Sequence, residues 1–113
     1  MKYIKTPLSS KKISKLKQKY GDYIKIAADI NQGDLVAGCP LYVDGKKVLL
    51  ANGSKQESVW GGGLNFTSKE IDCSAVLNLR PNQDNPSLEI LDPVRREKFI
   101  NTVKYIFKLL WRE

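Results

Sequence analysis

Ten consecutive residues, Asn78-Leu79-Arg80-Pro81-Asn82-Gln83-Asp84-Asn85-Pro86-Ser87, gather a guanidinium, several amides and two stiffening prolines. A second stretch, Gly53-Ser54-Lys55-Gln56-Glu57-Ser58-Val59-Trp60-Gly61, adds an indole, another amide and glycines. A planar guanidinium and amides can read a carboxylate, phosphate, base or sugar through fixed hydrogen bonds. Gln56, Trp60, Arg80, Gln83, Asn85 and Ser87 therefore form a candidate ligand-binding set, with Trp60 as a stacking wall. The same residues have a second reading, because Asn and Asp often satisfy the backbone groups of loops.

Other chemistry is narrower. The chain has no histidine, so no Ser-His-Asp or Cys-His relay and no His-ligated metal can arise within it. Only two cysteines are present, short of the four Cys or His ligands of a structural zinc site; Cys39 and Cys73 read as small buried hydrophobes. Glu70 and Asp72 share one face of a strand and could hold an oxygen-ligated cation, or simply face solvent. No metal, cofactor or catalytic residue is assigned. On the terminal helix Tyr105 projects among Lys98, Asn101, Lys108 and Arg112, with Lys104 nearby. An aromatic ring among cations suits the stacking of a base and the holding of phosphates. Lys98, Lys104, Tyr105, Lys108 and Arg112 are the candidate nucleic-acid contacts.

Charge supports that choice. Of 113 residues, 19 are Lys or Arg and 12 are Asp or Glu, a net +7. Residues 1–20 carry seven lysines and no acid. Residues 21–94 carry six basic and ten acidic side chains, and residues 95–113 six and two. Two basic ends flank a mildly acidic middle, the asymmetry expected of a protein with an anionic partner. Lysines that merely solubilise two helices would give the same count. The N-terminus shows no apolar core of a signal peptide, and no stretch approaches the ~20 apolar residues of a membrane span. Two reduced thiols fit a cytoplasmic protein.

The elements that must position these groups follow from hydrophobic period and punctuation. A helix is expected over 9–20, capped by Ser9, stapled by Leu8 and Ile13, and stopped at Gly21. Residues 22–91 read as strand-rich. Ile24, Ile26, Ala28 and Ile30 alternate with polar or small residues, a half-buried strand. Residues 35–43 and 46–51 read as a hairpin around Asp44-Gly45, a dipeptide favoured in type I′ turns. Residues 59–66 read as a strand weakened by Gly61-Gly62-Gly63, where another chain or a ligand can approach the backbone. Residues 71–80 read as the clearest long strand, and 88–91 as a short edge. Asp92 and Pro93 open a helix over 93–111, whose apolar arc runs through Phe99, Ile100, Val103, Ile106, Phe107, Leu110 and Trp111. The expectation is one α+β domain, 1–113: a single antiparallel sheet of four to five strands, with the N- and C-terminal helices on one face. The other face must be solvated or bind something.

Three stretches resemble a family of short prokaryotic proteins known only as a domain of unknown function. They are Lys19-Tyr20-Gly21-Asp22-Tyr23-Ile24-Lys25-Ile26-Ala27, then Gly53-Ser54-Lys55-Gln56 leading to Trp60-Gly61, and Asn78 through Ser87. The Arg-Pro-x-Gln-x-Asn-x-Ser run is the most distinctive part. The resemblance implies no activity, but it ties Gln56, Trp60, Arg80, Gln83, Asn85 and Ser87 into one site.

The expected function is a small non-catalytic binding module for an anionic partner, with nucleic acid the leading class. A histidine-free ribonuclease of the toxin kind is an alternative, with Arg80 stabilising a phosphorane-like charge and Glu57 or Glu89 as acid or base. A third is a protein-interaction or homodimerisation domain, pairing through the Gly-rich or the Pro40-containing strand as an open edge.

Overall fold

A computed structural model of the chain describes residues 1–112. Five antiparallel strands form one sheet: β1 (Lys2–Ile4), β2 (Tyr23–Asp29), β3 (Leu35–Ala37), β4 (Val59–Asn65) and β5 (Ile71–Asp72), in the order β1-β3-β2-β4-β5. The helices are α1 (Ser10–Tyr20), α2 (Tyr42–Ala51) and α3 (Pro93–Ile106). The expected α+β class and single antiparallel sheet are present.

The terminal helices form where their caps place them. Ser9 Oγ accepts the Lys12 amide at 3.2 Å, Leu8 and Ile13 are both buried, and Gly21 ends the helix at φ 82° while its N–H bonds the Lys17 carbonyl. Asp92 Oδ2 accepts the Arg95 amide at 2.9 Å, with Pro93 in the first turn. α3 gives way after Ile106 to a 3-10 segment, Lys108–Arg112, so the expected helix over 93–111 is regular only in its first part. Ile13, Leu16, Phe99, Val103 and Ile106 pack with Ile24, Ile26 and Ala28 of β2 in one large core. Both terminal helices thus cover the same face of the sheet.

The opposite face is covered in part by a helix where a hairpin was expected. The strand stops at Ala37, and the chain turns at Gly38, with φ 79°, and Pro40. Asp44 lies in the first turn of α2 and accepts the Leu41 amide at 3.1 Å. Gly45 is helical because α2 crosses the sheet closely there: a Cβ at this position would lie 3.0 Å from Ala27 Cβ and 2.5 Å from Cys39 Sγ. Ala27, Val36, Cys39, Leu49 and Val59 form this second, smaller core.

Three further expectations change. Residues 71–80 are not a long strand: after Asp72 the chain leaves the sheet, and Val76–Asn78 and Pro81–Gln83 are 3-10 turns, the first tied back to β4 by the buried Asn78 side chain. Residues 88–91 contribute one isolated bridge, Ser74 to Glu89. The strands expected as open edges lie inside the sheet, β3 between β1 and β2 and β4 between β2 and β5, because the unforeseen β1 and the short β5 flank them. The three glycines of β4 do admit close approach, but by this chain itself. A Cβ on Gly62 would strike the Asp72 carbonyl and the Phe99 ring, and one on Gly63 the Tyr23 ring.

Candidate functional site

The loop over residues 76–91 is organised by two fully buried amides. Asn78 Nδ2 donates to the carbonyls of Gly61, Cys73 and Leu88 at 2.8, 3.1 and 3.0 Å, and its Oδ1 accepts the Gly61 amide at 2.8 Å. Asn85 Nδ2 donates to the carbonyls of Asn78, Ser87 and Glu89, and its Oδ1 accepts the Leu91 amide. Each amide thus stands in for missing strand partners, as buried backbone groups require.

Arg80 is the third anchor. Its Nε donates to the Leu77 carbonyl, one terminal nitrogen to the Gln56 carbonyl and to Gln83 Oε1, and the other to the Val59 carbonyl. Four of its five donors are therefore engaged, and no carboxylate is among the acceptors. Its guanidinium carbon lies 4.5 Å from the centre of the Trp60 ring, and that of Arg95 lies 5.0 Å from it. Trp60 is fully buried, its indole N–H donating to the Glu57 carbonyl at 3.0 Å.

The six loop residues therefore separate. Gln56, Arg80 and Gln83 line one cleft; Trp60 lies in the core; Asn85 is buried in the loop; Ser87 Oγ accepts the Glu89 amide at 3.1 Å. The cleft encloses about 640 Å³, in the range of small-molecule sites. One wall is the start of α2, with Leu41, Tyr42, Val43 and Lys46. The other is the 3-10 segment with Val76, Leu77, Leu79 and Arg80, and Lys25 rises from β2. Lys25 Nζ sits 5.4 Å over the Tyr42 ring. The lining holds three cations, Lys25, Lys46 and Arg80, and no acid. Asp44 is turned to the Leu41 amide instead. Burial, and then repulsion from Arg80, push the Lys46 ammonium below its ordinary value; burial, and then Arg95, do the same to Arg80. Uncompensated positive charge is thus concentrated here.

Sequence reading did not single out Lys25, Lys46, Leu41, Val43, Val76 or Leu79 for this cleft. The one available signal was Val76, an apolar residue in the polar register of the supposed strand.

The second set lies on the other face. Lys98, Lys104, Tyr105 and Arg112 are exposed, and Lys108 Nζ lies 5.4 Å over the Tyr105 ring. Lys98 Nζ also donates to Asn31 Oδ1 at 3.3 Å. The Leu8 amide, just before α1, bonds the Ile106 carbonyl at 2.9 Å, and α1 packs on the Lys108–Arg112 segment. Lys11, Lys12, Lys15, Lys17 and Lys19 of α1 are all exposed. Among the described residues one ion pair forms, Arg96 to Glu89 at 3.3 Å, so no described carboxylate pairs with these lysines.

Comparison with known proteins gives a family but no activity. A family model described as a protein of unknown function (DUF5674) matches residues 2–106, so nearly the whole chain is covered and it belongs to that family. No curated protein and no solved structure matched the chain. Among the described residues no helix is long and apolar enough to cross a membrane.

Proposed function

We propose that this DUF5674 member is a non-catalytic binding module for an anionic partner, with nucleic acid the partner class, acting in a prokaryotic cytoplasm. The observation that carries the reading is the packing of α1 beside the end of α3 on one face of the sheet. It puts α1, with its five exposed lysines, on the same side of the sheet as the helix and segment that carry Lys98, Lys104, Lys108, Arg112 and the exposed Tyr105. α1 carries no acid and α3 only Glu97. Lysines neutralise phosphates and release counterions, and the tyrosine offers a base a stacking surface. The buried free thiols of Cys39 and Cys73 accord with a reducing compartment.

Gel-shift titration with RNA and DNA oligonucleotides at two salt concentrations tests this. With about four phosphate contacts, a threefold rise in salt lowers affinity roughly 50-fold. Lys15→Glu with Lys104→Glu flattens that dependence. Absent or salt-insensitive binding would overturn the reading. RNA degraded on the same gel would instead favour the ribonuclease alternative, for which Arg80 has little free donor capacity.

A further inference from the structure

We propose that the cleft between α2 and the 76–83 segment binds a small amphipathic carboxylate, its apolar body on the aliphatic walls and its acidic head toward Lys46, Arg80 and Lys25. This site lies on the opposite face from the nucleic-acid surface and is independent of it. Two observations carry it. The lining pairs three cations with no acid, a charge pattern complementary to an anion. Four large apolar side chains are also left in water around it: Val76 at 73% exposure, Leu41 at 60%, Leu79 at 52% and Val43 at 46%. Apolar groups gathered on an exposed surface mark a binding site more often than chance solvent exposure.

The chemistry of the walls selects the ligand. The flanking aliphatic groups need an apolar body, which excludes a bare phosphate or sulfate. The amides of Gln56 and Asn82 at the cleft margin can orient a carboxylate's second oxygen. One Arg80 N–H lies outside its four bonds, and Lys46 keeps its ammonium. A second copy of the chain fits poorly, because a two-fold contact through this face sets Lys25, Lys46 and Arg80 against their own counterparts.

Decanoate below its micelle-forming concentration, and decanol as its neutral counterpart, are the probes. Calorimetric titration gives affinity, and amide chemical shifts give location. Decanoate is expected to bind at least about tenfold more tightly than decanol, the value of one charge-assisted hydrogen bond. Its shifts should concentrate at residues 41–46 and 76–83. Lys46→Gln, or Lys25→Gln on the exposed side of β2, lowers the affinity for decanoate more than that for decanol and so brings the two together. Val76→Asp weakens both, and circular dichroism confirms that each variant is folded. Equal binding of decanoate and decanol overturns the proposal, as does decanoate binding that neither Lys variant weakens. A dimer in light scattering that Val76→Asp dissociates also overturns it, assigning the face to a second copy.

Discussion

At the scale of single residues, Asn78 is the side chain on which most of the site's geometry depends. Its amide meets three carbonyls and one N–H, and it is fully buried. Asn78→Asp keeps the shape, removes both amide hydrogens and brings a carboxylate among three carbonyl oxygens. The expected loss is about 3–5 kcal/mol of stability, the cost of an uncompensated buried charge and orphaned acceptors. Urea denaturation measures it; a loss below about 1 kcal/mol would mean that the loop is held by something else. Arg80 has the same character with a different reach. Its planar fork bridges the Leu77, Gln56 and Val59 carbonyls and Gln83. A lysine offers three donors from one point and cannot reproduce that fork. Arg80→Lys should therefore cost about 2–3 kcal/mol and loosen the cleft wall. That is why the cleft is better tested through Lys46 and Lys25.

At the scale of elements, close packing of backbone on backbone decides where the glycines sit. Gly62 pairs with Ile26 of β2, and its Cα faces the Asp72 carbonyl and the Phe99 ring of α3. Gly62→Ala must push β5 or α3 away, and is expected to cost about 3 kcal/mol by overpacking. A thermal melt unchanged by the substitution would show that these elements yield freely. The same constraint explains what could be read beforehand. α1, β2 and α3 were legible because Ser9, Gly21, Asp92 and the alternation of Ile24, Ile26 and Ala28 are local signals that agree with the fold. α2 was not, because Asp44-Gly45 means a turn locally and a helix only once Ala27 and Cys39 lie beneath it. The alternation over 71–80 misled likewise, since Asn78 supplies from its side chain the bonds a strand would have made. At the site, Gln56, Arg80 and Gln83 were visible as unusual loop residues. Lys25 and Lys46 reach the same cleft only through the crossing of α2 over β2, which no local spacing encodes.

At the scale of the whole molecule, the fold holds several weak acids in their protonated forms. Burial pushes the Cys73 thiol up to about 11, and burial together with the Asp34 carboxylate pushes the Tyr3 phenol up to about 12. Burial raises Cys39, Tyr42 and Tyr23 as well, the last also bonded to Asp72 at 2.7 Å. In the unfolded chain these groups ionise nearer 9 and 10. Between about pH 9 and 12 the unfolded state therefore binds fewer protons than the folded one, so stability falls as pH rises. Two effects oppose this. Lys46 and Arg80, pushed down by burial, gain stability with rising pH, and neutralisation of lysines relieves the repulsion of a +7 chain. High salt screens the second, and five raised groups outnumber the first. In high salt the urea midpoint should therefore drop between about pH 8 and pH 11. Cys73→Ala, slightly weaker at pH 8 through the small cavity it leaves, should lose less over that interval. A midpoint that stays flat would mean that these groups are solvated in the fold, and an equal drop in Cys73→Ala would assign the loss to Cys39 and the tyrosines.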